Sequence, residues 1–112
     1  MGACSGYLVE TGAARIVCDL GAGTLPNLLR LCAVGEIDAL ILSHLHFDHC
    51  SDALVLQYAL EKAVADGDRG PLPVYLPDTP AQYRALFDNE RVFAPHALSD
   101  GLQARLAALA RC

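Results

Sequence analysis

Three of the four histidines in this 112-residue sequence fall within six positions, at His44, His46 and His49, with Asp48 among them. Imidazole nitrogens and carboxylate oxygens are the ordinary ligands of catalytic zinc. The spacing suits that use. His44 and His46 are two residues apart, so at an extended strand end their side chains point the same way. Asp48 and His49 follow in a turn, where the chain can bend back toward the same cavity. The preceding Ala39-Leu40-Ile41-Leu42 is a short apolar run of the kind that becomes a buried strand. A cluster at the C-terminal end of a strand, just ahead of a helix, is a common location for α/β active sites. The plain alternative is a polar loop that happens to be rich in histidine.

The elements that must position this run can be read from the pattern around it. Tyr7 to Glu10 and Arg15 to Cys18 read as two short strands joined by turn residues Thr11-Gly12-Ala13-Ala14. Asp19-Leu20-Gly21-Ala22-Gly23-Thr24 is a glycine-rich turn, and Thr24 is placed to cap a helix from about Leu25 to Ala33. Leu25, Leu28, Leu29 and Cys32 share one face of that helix, and Gly35 is a plausible stop. After the histidines, Ser51 or Asp52 can cap a long helix reaching about Ala65, with Leu56, Ala59, Leu60 and Ala63 on one face. Pro73 to Leu76 reads as a further strand. Thr79-Pro80-Ala81-Gln82 has the form of a capping box with proline at the first helical position, starting a helix through Phe87. Ser99 can cap a last helix with Leu102, Leu106 and Leu109 in a stripe, most simply a core-facing or partner-facing surface. The class is α/β, and residues 1–112 read as one incomplete domain.

Composition narrows the function classes. Hydrophobic residues make up 54% and charged residues 19%, which excludes a disordered chain. The net charge of -5, with a single lysine at Lys62 and scattered arginines, argues against nucleic acid as a partner. No apolar run approaches a membrane span, and no basic-then-apolar leader opens the sequence, so a cytoplasmic location without membrane partners is expected. Five cysteines without a C-x-x-C pair indicate neither a disulfide framework nor a zinc ribbon.

The run His44-Leu45-His46-Phe47-Asp48-His49 matches the H-x-H-x-D-H signature and resembles the metallo-β-lactamase superfamily. Cys4 to Glu10, followed by Ile16-Val17-Cys18-Asp19-Leu20-Gly21-Ala22-Gly23, resembles the paired strands and aspartate–glycine turn that precede that signature. Leu42 to Asp52 is most similar to the ribonuclease-Z-like branch. The resemblance covers roughly residues 3–100. It implies a partial metallo-β-lactamase fold, the N-terminal half of an αββα sandwich with a mixed β-sheet and flanking helices. It also implies two zinc ions, the first on His44 and His46 and the second on Asp48 and His49. A hydroxide between the metals would attack an ester or phosphodiester, with Asp48 orienting it as the catalytic residue and Asp19 fixing the ligand loop by hydrogen bonds. The family's opening strand and glycine-rich loop, and its later metal ligands, have no counterpart that can be placed here.

Other residues admit blander readings. Asp19 alone is a good turn-former, and Gly21 and Gly23 without a following G-K read as a tight turn, not a phosphate loop. His96 is favoured as a surface histidine in a loop over a third ligand, and Cys50 as a buried thiol over a soft ligand. Two functions follow. One is a zinc-dependent hydrolase of small phosphodiester or related ester substrates. The alternative is a catalytically incompetent truncated fragment with partial metal binding. A nucleic-acid processing role is disfavoured by charge, and a second copy of the chain is an open candidate partner.

Overall fold

The computed structural model describes residues 6–45 and 47–98, and for residues 47–49 it describes the backbone alone. It holds one five-stranded sheet in sequence order, β1 (Gly6–Glu10), β2 (Arg15–Leu20), β3 (Ala39–Ile41), β4 (Leu72–Leu76) and β5 (Phe93–Ala97). The first two strands pair antiparallel and the rest run parallel. The sheet is therefore mixed, and helices α1 (Leu25–Leu31), α2 (Phe47–Ala65) and α3 (Ala81–Arg84) lie in the crossovers that parallel neighbours require.

Local chemistry accounts for each connection. Thr11 Oγ1 accepts from the Ala13 and Ala14 amides at 3.1 and 2.9 Å, and Thr11 N–H donates to Ala14 O at 2.9 Å, closing the β1–β2 hairpin. Arg15 braces its open side by donating to Glu10 at 2.9 Å and Glu36 at 3.3 Å. At the other end of β1 a Cβ on Gly6 would sit 3.2 Å from the Thr24 side chain, so glycine is what lets the strand approach the turn after β2. Helix α2 ends in a Schellman motif. Asp68 N–H donates to Ala63 O, Gly67 N–H donates to Val64 O, and Gly67 takes the left-handed φ of 78° the motif needs.

One face of the sheet carries the core. Val17, Leu40 and Val74 stand side by side across β2, β3 and β4 and are essentially fully buried. Cys50, Ala53, Leu56, Leu60 and Ala63 form the buried stripe of α2, at the three-and-four spacing of a helix face. Leu42, Leu45, Phe87 and Phe93 complete this layer, the two phenyl rings meeting at 5.5 Å between centroids. A fully buried leucine stabilises by about 2 kcal/mol over its exposed state, so this layer dominates the fold's stability. The opposite face runs Tyr7, Cys18, Ile41, Tyr75 and His96 from strand to strand. No helix among the described residues is long and apolar enough to cross a membrane.

Several expectations change. Helix α1 stops at Leu31, and Gly35 lies inside a separate 3-10 turn, Val34–Glu36, because Cys32 has already turned extended. Leu29 is 43% exposed, so the apolar face narrows to Leu25, Leu28 and Cys32. Thr24 does not cap α1 with its side chain: its hydroxyl donates back to Gly21 O at 2.6 Å, tightening the turn. Helix α2 begins at Phe47, so Ser51 and Asp52 lie within it and cannot be its caps. Pro80, not Thr79, is the N-cap of α3, which covers four residues before continuing as a 3-10 turn, Ala85–Phe87. Strand β5 was not expected, and the helix expected from Ser99 with Leu102, Leu106 and Leu109 lies outside the described residues.

Candidate metal centre

Leu42, just past the end of β3, is buried and pinned by its N–H to Tyr75 O at 2.8 Å. Ser43 and His44 then emerge to solvent, and Leu45 turns back into the core at 1% exposure. The burial of Leu42 and Leu45 thus fixes where the two residues between them surface. His44 lies three residues beyond the C-terminal end of the parallel strand β3.

Asp19 holds this emergence in place. Its carboxylate accepts from the Ser43 amide at 2.7 Å through Oδ1 and from the Ser43 hydroxyl at 2.7 Å through Oδ2. Both distances are short, as expected for an ionised acceptor. The aspartate is 8% exposed, the one charged side chain buried among the described residues. Its backbone takes φ 60°, the left-handed region that aspartate tolerates better than most residues. A buried, strained carboxylate spends its two oxygens on the residue before His44. It therefore does more than form a turn.

The rest of the run is placed less fully. Asp48 and His49 belong to the first turn of α2, which corrects the expectation that they lie in a turn ahead of the helix. His46 lies outside the described residues. Among the described residues no group of three or more His, Cys, Asp or Glu side chains converges to hold a metal ion. His96 is an exposed residue of β5, not of a loop, and its ring stacks on Tyr75 with centroids 4.9 Å apart. Cys50 is buried at 2% exposure. Sequence reasoning missed the part played by Asp52, whose Oδ2 accepts from the Leu25 amide at 2.8 Å and so caps α1 from across the fold. A contact spanning 27 residues leaves no local signal.

Comparison with known proteins agrees with this geometry. Residues 1–96 match the model of the metallo-beta-lactamase superfamily, and the chain belongs to that superfamily. The probable metallo-hydrolase YhfI of Bacillus subtilis is 35% identical over 75 residues, which are 65% of this chain and 30% of that protein. The crystal structure of YhfI, a metallo-beta-lactamase fold protein, superposes with a TM-score of 0.80 at 29% identity, over 86% of this chain and 39% of YhfI. Human tRNase Z, short form, shares the fold with a TM-score of 0.57 at 19% identity, over 88% of this chain and 40% of its own. The chain thus spans only 30% to 40% of the length of these relatives. Its sheet and helices are the N-terminal portion of the metallo-β-lactamase fold.

Proposed function

We propose that this chain carries the first metal-ligand run of a zinc-dependent hydrolase acting on phosphodiester or related ester bonds. The observation that carries the reading is the pair of hydrogen bonds that Asp19 accepts from Ser43, which rigidifies the entry to the ligand run after β3. The donor set fits zinc: three imidazoles and a carboxylate within six residues, the first of them exposed at a strand end. His44 and His46 would hold one ion, and Asp48 and His49 the second. These residues would hold zinc, which when bound would supply Lewis acidity toward the substrate oxygen and lower the pKa of water toward neutral pH.

The chain's own groups do the rest. Asp19 keeps the Leu42–Ser43 peptide and the Ser43 side chain in one orientation, which fixes where the chain enters His44 before metal arrives. Asp48 would accept a hydrogen bond from the attacking water and orient it. Substrate choice rests with loops beyond this portion of the fold. A small phosphodiester is favoured over RNA because the net charge of -5 lacks a basic footprint. A cytoplasmic location goes with this proposal.

One feature favours a second reading. The run supplies two ligands per metal where catalytic zinc takes three. In that case the chain holds metal partially and turns nothing over. Hydrolysis of a chromogenic phosphodiester by the zinc-loaded, folded chain, lost in His46→Ala, supports the hydrolase. A folded, zinc-loaded chain with no turnover supports the second.

A further inference from the structure

Two carboxylates close a ring around the ligand run. Asp19, at the end of β2, bonds Ser43, 24 residues on. Asp52, in the second turn of α2, bonds the amide of Leu25, 27 residues back. Ser43 and Asp52 flank His44, His46, Asp48 and His49 on either side, while Asp19 and Leu25 flank the Gly21–Thr24 turn. The circuit therefore runs from Asp19 through the glycine turn to Leu25, across to Asp52, back along the ligand run to Ser43, and across to Asp19. The glycine turn is itself stiff, since the Thr24 amide and hydroxyl both donate to Gly21 O, at 3.1 and 2.6 Å. A segment tied at one end can still swing. Tied at both ends to one rigid turn, it cannot.

We infer that Asp52 is a positioning residue for the metal-ligand run, acting through its bond to Leu25 as the second half of this clasp. The inference rests on the metal reading of His44 to His49 and goes beyond it, since it assigns no ligand role to Asp52. A purely structural Asp52 would cap α1 and contribute to stability alone. A positioning Asp52 couples the cap to the geometry of the run, so its removal weakens metal binding out of proportion to stability.

The test is zinc titration of the full chain by calorimetry, paired with amide hydrogen exchange of the metal-free protein. Asp52→Ala should weaken zinc binding by about 10- to 100-fold, the usual effect of removing a group that orients ligands. Asp52→Asn keeps an oxygen acceptor for the Leu25 amide, and asparagine caps about as well as aspartate, so it should bind zinc nearly as wild type. Arg69→Ala is the stability control. Arg69 donates to Val34 O at 2.9 Å and Ile37 O at 2.7 Å, ahead of β3 and away from the histidines. It should lower the unfolding midpoint and leave zinc affinity unchanged. In exchange, Asp52→Ala should speed the Leu25 amide together with those of Ser43 to His49.

Wild-type zinc affinity in Asp52→Ala, or faster exchange confined to Leu25, overturns the inference and leaves the hydrolase reading standing. Absence of zinc binding in the folded wild type removes the hydrolase reading instead. Exchange at Ser43 to His49 then decides the clasp by itself.

Discussion

Replacing Asp19 by alanine tests whether the ligand run is held by a buried carboxylate. The substitution deletes both acceptors of Ser43, at 2.7 Å each, and strands an amide that faces the protein. A hydrogen bond to a charged group is worth about 1.5–3 kcal/mol, and the lower end applies because Ser43 is exposed, so the pair amounts to about 3 kcal/mol. Alanine at φ 60° adds about 1 kcal/mol of backbone strain that aspartate largely escapes. The expected loss is therefore about 3–4 kcal/mol by urea denaturation followed by circular dichroism. Asp19→Asn keeps one acceptor oxygen and a tolerance for the left-handed region, and should lose only about 1 kcal/mol. Ser43→Ala removes the hydroxyl bond alone, at about 1.5 kcal/mol, and the double-mutant cycle with Asp19→Ala should recover about that much as coupling. An Asp19→Ala protein within about 1 kcal/mol of wild type, or a cycle with coupling below about 0.3 kcal/mol, refutes the reasoning.

Two further outcomes follow from other parts of the fold. Among the described residues the buried Ser51 Oγ has no hydrogen-bond partner, so Ser51→Ala should raise the thermal midpoint, by about 0.5–1 kcal/mol in stability, since alanine is also the better helix former; a clear fall would mean the hydroxyl makes a stabilising bond. Burial pushes the Cys18 thiol up, with the charge of Asp19 adding to it, and burial likewise pushes Cys32 up, with Glu36 adding and Arg15 opposing. The folded state thus resists thiolate formation. Stability from this source is intact below the ordinary thiol pKa of about 8.5 and is lost as pH rises through the raised folded values. Urea midpoints should therefore fall above about pH 8.5, and less so in Cys18→Ala.

What the sequence revealed and what it hid have physical reasons. Strands β2, β3 and β4 were legible because each is a short apolar run bounded by turn residues, and the sheet buries them. Strand β5 was not, because Pro95 interrupts it; proline is tolerated there since, among the described residues, β5 pairs on one side alone. The start of α2 was placed too late because the histidine run reads as a loop, while the helix begins at Phe47 within it. Asp19 was read as fixing the ligand loop from its place in a known motif; what the fold shows is that it accepts two hydrogen bonds from Ser43, a contact 24 residues away that no local pattern encodes. Asp52 was legible only as a cap, and it is one, but of α1 and not of its own helix. Capping propensity is local, whereas the amide it serves is chosen by tertiary packing. His96 was expected in a loop because its neighbours alternate poorly, although it pairs with Tyr75 across the sheet.

His44, His46, Asp48 and His49 are proposed to form a metal-ligand run held by the fold. Zinc per chain, by elemental analysis of the chelator-washed and zinc-reconstituted protein, tests it most directly. The account predicts about one to two tightly held zinc ions per folded chain, lost in His46→Ala while the fold persists. A folded wild-type chain that retains no zinc, or a His46→Ala chain that retains it all, contradicts the account.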